Sequence, residues 1–203
     1  MISEENSISP LNGLVLAGGK STRMGTDKDL IQWHGKEQRY YAADMLKHFC
    51  EEVFISCRAD QVKDIDAAYK TLPDTFLNMG PFGGIVSALR SQSNKAWLVV
   101  ACDLPLLNEA TIRFLIANRN AKKTATAFES PHDGLPEPLI TIWEPGSYPV
   151  LLGFLGKRIT CPRKVLMNSD VLILQPLQPE SLMNVNTPED AAKAEEILSG
   201  KNI

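Results

Sequence analysis

Short apolar runs, rich in β-branched residues, recur along the chain: GLVLA (13–17), EVFISC (52–57), KAWLVVAC (95–102), TATAFE (124–129), EPLITIW (137–143) and DVLILQ (170–175). Runs this short and this continuously apolar suit strands covered on both faces. Between them the apolar positions switch to helical spacing, in RYYAADMLKHFCE (39–51), GGIVSALRSQ (83–92), NEATIRFLIAN (108–118) and TPEDAAKAEEILS (187–199). In the last of these Thr187 is placed to cap and Pro188 to open the helix, and Glu189 and Asp190 complement its positive end. From 144 to 169 the pattern loosens around Gly146, Pro149, Gly153, Gly156 and Pro162, and a pair of short helices forming one wall of a cleft is expected there. Strands alternating with helices predict an α/β fold, a three-layer α/β/α arrangement around a mostly parallel sheet.

Composition narrows the function. The 203 residues suit one domain over 11–203, preceded by a loose polar tail over 1–10. A net charge of −3 gives no electrostatic footprint for nucleic acid. MISEENSISP lacks the basic start and apolar stretch of a signal peptide, and AWLVVAC (96–102) is too short to span a bilayer, so a soluble cytoplasmic protein without membrane partners is expected. Cys50, Cys57, Cys102 and Cys161 form no C-x-x-C pair or zinc pattern and read as reduced thiols, mostly buried.

Against this acidic background, LVLAGGKSTRMGTDK (14–28) gathers Lys20, Arg23 and Lys28 behind Gly18 and Gly19. It is not a P-loop, because the first glycine of that motif would fall at Leu14, inside the strand. Nor does the glycine spacing fit G-x-G-x-x-G. What remains is a strand ending at Ala17, two glycines whose N–H groups can approach a base or phosphates, and cations suited to a polyphosphate. LAGGKSTRMGTDK resembles the N-terminal signature of the molybdenum cofactor guanylyltransferase family, the MobA-like nucleotidyltransferases, whose sheet is the Rossmann-like one of the nucleotide-diphospho-sugar transferase type.

Four later segments extend the resemblance in order along the chain. PDTFLNMGPFGGI (73–85) resembles the family's glycine turn with an acid upstream, which implies that Asp74 helps recognise guanine; a carboxylate accepts from guanine N1–H and N2–H₂ together. VVACDLPLL (99–107) sets Asp103 at a strand's carboxyl end, where ligands of open α/β sheets sit, and its resemblance to C-D-x-P implies the Mg²⁺ ligand. GLPEPLITIW (134–143) resembles the stretch before a strand on the acceptor side, leaving Glu137 either facing the site or merely ending a strand. LMNVNTPED (182–190) puts Asn184 and Asn186 on one face of an extended segment before a helix, and its resemblance implies contact with the pterin substrate.

The implied activity is transfer of GMP from GTP to the terminal phosphate of molybdopterin, giving the guanine dinucleotide cofactor and pyrophosphate. Leu16, Ala17, Gly18 and Gly19 would line the nucleotide. Arg23 and Lys28 would neutralise its phosphates, Asp103 would carry Mg²⁺, Asp74 would read the base, and Asn184 and Asn186 would hold the acceptor. Transient contact with molybdoenzymes or cofactor-insertion proteins follows from the same resemblance. Three alternatives stand beside it: a cytidylyltransferase for the same cofactor, a sugar-phosphate nucleotidyltransferase, and a non-catalytic delivery module. Gly19 disfavours the first, because relatives using CTP read L-A-A-G there. One stretch departs from the family pattern: in IQWHGKEQRYY (31–41) Lys36 is kept, but Glu37-Gln38 replaces Pro-Leu, and Lys36, Glu37 and Arg39 read as solvated charges.

Overall fold

The computed structural model describes residues 9–17 and 30–200; Gly18, Gly19, Lys20, Arg23 and Lys28 lie outside them. Seven strands form one sheet: β1 (Leu11–Leu16), β2 (Val53–Cys57), β3 (Lys70–Pro73), β4 (Ala96–Ala101), β5 (Ala125–Glu129), β6 (Pro136–Trp143) and β7 (Val171–Leu174). Their spatial order is β3-β2-β1-β4-β6-β5-β7. All pairings are parallel except those of β6, which runs antiparallel to both β4 and β5. The chain reaches β6 from β5 by a tight reversal in which Ser130 N–H donates to the Leu135 carbonyl and Gly134 takes φ +68°.

The continuous apolar runs are explained by cover on both faces. Along β4, Ala96, Leu98 and Val100 face one core while Trp97 and Val99 face the other. On the first face lie α1 (Gln38–Leu46) and α3 (Glu109–Ala117), contributing Ala42, Met45, Leu46, Ile112 and Leu115. On the second lie α2 (Pro81–Ser91), α4 (Ser147–Gly156) and α5 (Pro162–Met167), contributing Phe82, Ile85, Leu89, Leu151 and Val165. The expected pair of short helices over 144–169 is thus α4 and α5. The last helix, α6 (Pro188–Leu198), begins as its sequence dictates: Thr187 Oγ1 accepts the Asp190 N–H, and Asp190 reaches back to the Thr187 N–H.

Three details differ from the sequence expectation. Strand β3 was not expected; it is an edge strand of four residues with only Leu72 buried, too short to show alternation, and it ends in a proline that only an edge tolerates well. Arg39 is not a solvated charge but is buried, held by Glu37 at 2.7 Å and by the Asp64 carbonyl at 3.1 Å. Residues 9 and 10 are tied to the fold, the Ser9 carbonyl accepting from Arg119 and the Pro10 carbonyl from the Ala96 N–H.

Candidate functional site

The carboxyl ends of β1, β2, β3 and β4 converge on one rim of the sheet, because these four strands are parallel. Register fixes how closely. Leu16 pairs with Ser56 on one side and Ala101 on the other, and the Leu16 carbonyl accepts the Cys102 N–H. Leu16 and Ala17 therefore end β1 between the elements that carry Asp74 and Asp103.

Asp74 follows β3 directly. Its N–H donates to the Cys57 carbonyl at 2.9 Å, and its Oδ1 accepts the Ser56 hydroxyl at 2.7 Å. Burial pushes its carboxyl above the ordinary value, and the Ser56 hydroxyl pulls back against that. Helix α2 starts against this acid, and its glycines are why. At Gly80 the chain takes φ +55°, and a Cβ on Gly84 would lie 2.7 Å from Ser56 Oγ and 2.8 Å from Leu16 Cδ2. A side chain at Gly83 would collide with the Phe76 carbonyl. The loop is pinned from inside the helix, where Ser87 Oγ accepts the Thr75 N–H at 2.8 Å. Leu16, Ser56, Asp74 and Gly84 thus form a close-packed corner with one carboxylate and the N-terminal turn of a helix.

Asp103 emerges two residues past β4. Its carbonyl accepts the Val185 N–H at 2.9 Å, which ties the Asn184–Asn186 segment to the turn bearing the acid. Val185 is buried against Leu106 and Ala194. The flanking asparagines have different surroundings: Asn184 Oδ1 is buried without a hydrogen-bond partner among the described residues, whereas Asn186 is exposed and its N–H donates to Asp190. Asn184 is the one with an inward-facing acceptor left over.

Glu137 belongs to this rim as well, and β6 puts it there by running backwards. Val100 pairs with Ile140, and that antiparallel register, continued, sets Glu137 level with Asp103. Glu137 is 3% exposed; its Oε2 accepts from Arg163 Nη2 at 3.1 Å, and its Oε1 from the Leu139 N–H at 3.3 Å. Arg163, on α5, also donates to Asp133 at 2.7 Å. Burial raises the Glu137 carboxyl above its ordinary value; Arg163 opposes the rise, while the charges of Asp103 and Asp133 add to it. Of the two options for Glu137, facing the site is the one this geometry favours.

A divalent cation of the Mg²⁺ kind fits this donor set. Mg²⁺ takes oxygen ligands, often only one or two from protein. Asp103 would supply one carboxylate, with Glu137 level with it in the register; among the described residues no group of three or more His, Cys, Asp or Glu could hold a metal ion by itself. Sequence reasoning passed over Ser56, Arg163 and Gln38. The first two carry no local signal, being a serine inside an apolar strand and one basic residue among several. Gln38 was visible only as a departure from a pattern.

No helix among the described residues is long and apolar enough to cross a membrane. Residues 13–171 match the family of MobA-like NTP transferase domains. A molybdenum cofactor biosynthesis bifunctional protein of Synechocystis is 37% identical over 185 residues; the match covers 91% of this chain but 53% of that longer protein. A probable molybdenum cofactor guanylyltransferase of Carboxydothermus hydrogenoformans is 34% identical over 198 residues, covering 92% of this chain and 96% of its own length. Among solved structures, molybdopterin-guanine dinucleotide biosynthesis protein A of Archaeoglobus fulgidus superposes with a TM-score of 0.76 at 23% identity, over 93% of this chain and 99% of that one, a likeness of fold. Sequence and fold agree with the rim of acids just described: the chain belongs to the MobA-like NTP transferase family.

Proposed function

We propose that this protein transfers GMP from GTP to the terminal phosphate of molybdopterin. The observation that carries the reading is the Val185–Asp103 hydrogen bond. It joins the asparagine segment to the acid's turn, on the rim where Asp74 and the glycine-opened helix α2 stand. One site can thereby meet a base, a polyphosphate and an acceptor.

In this reading the acceptor's phosphate oxygen attacks the α-phosphorus of GTP, the bond from that phosphorus to the β-phosphate oxygen breaks, and pyrophosphate leaves with the electron pair. The attacking phosphate is already ionised near neutral pH, so positioning and charge neutralisation dominate over proton transfer. Asp74 accepts from the guanine edge, helped by the Ser56 hydroxyl, which favours its ionised form. The N-terminal turn of α2 offers N–H groups and a positive dipole end to the same ligand. Gly18 and Gly19 line the nucleotide, and Arg23 and Lys28 neutralise the phosphates and the departing pyrophosphate. Asp103 would hold Mg²⁺, which would supply charge screening at the α-phosphate. Asn184 and Asn186 position the acceptor, Asn184 through its buried Oδ1. The work is done in the cytoplasm.

The test is pyrophosphate release with purified protein, Mg²⁺ and molybdopterin. Release with GTP and not with CTP is expected. Release with CTP alone would make the protein a cytidylyltransferase. No release with either, alongside retained molybdopterin binding, would make it a delivery module.

A further inference from the structure

The turn that bears Asp103 is held by four hydrogen bonds to three successive carbonyls. The Asp103 carbonyl accepts the Val185 N–H at 2.9 Å. The Leu104 carbonyl accepts the side-chain amide of Gln38, Nε2 to O 3.3 Å, as well as the Leu107 N–H at 3.3 Å. The Pro105 carbonyl lies 2.9 Å from His34 Nε2. A carbonyl can only accept, so this nitrogen carries the proton. The His34 ring is itself fixed by stacking on Tyr41, with centroids 3.8 Å apart and 13° between planes.

Gln38 is the anomaly in this set. It opens α1 and is 1% exposed, where a leucine would bury no polar group. Its Oε1 is buried and has no hydrogen-bond partner among the described residues. A half-satisfied buried amide weakens a fold rather than strengthening it, so stability does not explain its presence. The Leu104 carbonyl does not require it either, having the Leu107 N–H. What Gln38 adds is a fixed link between the start of α1 and the residue next to Asp103. His34 adds a second link one residue further on. The segment carrying both continues the chain from Lys28, so the acid's turn is tied to the stretch that follows the cation-bearing loop.

We infer that Gln38 and His34 are positioning residues: they hold the 104–105 backbone from the 31–38 segment, and so fix the direction in which the Asp103 carboxylate meets its cation. The inference rests on the reading of Asp103 as the metal ligand. Groups that orient a metal ligand without touching the metal typically change affinity by about 10- to 100-fold when lost.

The experiment compares the full chain with Gln38→Leu, Gln38→Met and His34→Phe, the last keeping a ring to stack on Tyr41. Free Mn²⁺ is followed by electron paramagnetic resonance in the presence of an α,β-methylene GTP analogue, and amide hydrogen exchange of residues 102–107 is followed without metal. Weaker Mn²⁺ binding by about tenfold is expected, with faster exchange over 102–107 and a thermal midpoint unchanged or higher for Gln38→Leu. Should Gln38→Leu fail to fold, Gln38→Met supplies the same readouts. Wild-type Mn²⁺ affinity and wild-type exchange in the folded Gln38 and His34 variants would overturn the inference. Asp103→Asn is measured alongside: unchanged Mn²⁺ affinity in that variant removes the metal reading itself, whereas the metal-free exchange data judge the two tethers independently.

Discussion

Strand β6 ends in an Arg–Glu ion pair on each side, and the two pairs behave differently. Past its carboxyl end, Glu144 takes Arg119 in two 2.7 Å hydrogen bonds, with the side chains 2% and 8% exposed, and the third guanidinium nitrogen donates to the Ser9 carbonyl. All three guanidinium nitrogens and both carboxylate oxygens there have protein partners. Near the strand's start, Glu137 receives Arg163 through one 3.1 Å bond, and Arg163 divides itself between Glu137 and Asp133. Asp103 stands close enough to push the Glu137 carboxyl up. One guanidinium thus divides itself between two carboxylates, with a third, Asp103, level with Glu137 in the register. The first pair staples the fold; the second sets a buried carboxylate among other acids on the rim that carries Asp103. Residue types are the same on both sides, so the difference lies in which rim of the sheet each reaches.

The contrast breaks most visibly at the staple. Glu144→Gln strands a buried guanidinium and should cost about 3–5 kcal/mol, lowering the midpoint of thermal unfolding by roughly 6–20 °C. Turnover per folded molecule should be unchanged, and a loss of turnover with an intact fold would erase the distinction between the two ends. Asp103→Asn should do the reverse, cutting pyrophosphate release by about 10²–10³-fold while leaving denaturant unfolding nearly where it was.

A smaller effect is expected at the neighbouring acid. Asp74→Asn should raise the KM for GTP by about 10- to 100-fold, the worth of a charge-assisted hydrogen bond. Because burial raises the Asp74 carboxyl, its contribution to folding is fully present below the unfolded pKa and is lost as pH rises through the folded one. Removing the charge should therefore leave unfolding at neutral pH no easier than in the wild type. For GTP binding the dependence has the opposite sign: affinity falls as pH drops through the raised value, and Ser56→Ala, which removes the hydroxyl favouring the ionised form, should move that fall to higher pH. A KM profile for GTP that is flat across the acid range in both proteins would dissociate Asp74 from the base. The smallest change is expected for Glu137→Gln, about tenfold weaker Mn²⁺ binding in titrations, with stability held by the remaining Arg163–Asp133 pair.

Much of this was legible along the chain. The apolar runs mark six of the seven strands because a strand covered on both faces has no polar side to interrupt it, as Trp97 and Leu98 show by entering opposite cores. Asp103 could be singled out because it follows an apolar strand run and precedes a proline, and Asp74 because PDTFLNMGPFGGI resembles the family's glycine turn with an acid upstream. Ser56 could not, since a serine within EVFISC looks like any small strand residue until β2 is laid beside β3. Nor could the burial of Arg39, whose partners include a backbone carbonyl 25 positions away.

Local sequence therefore determined the elements, the caps and the chemical character of the rim: apolar periodicity and turn residues act over a few neighbours, and their physics is complete within that span. Tertiary structure alone decided direction and adjacency. Whether β6 runs with or against β4 is invisible in EPLITIW, yet that choice sends Glu137 to the acid's rim and Glu144 to the far one. Contacts such as Val185 with Asp103 and Gln38 with Leu104 join residues scores of positions apart, and only the packed sheet brings those groups within reach of each other.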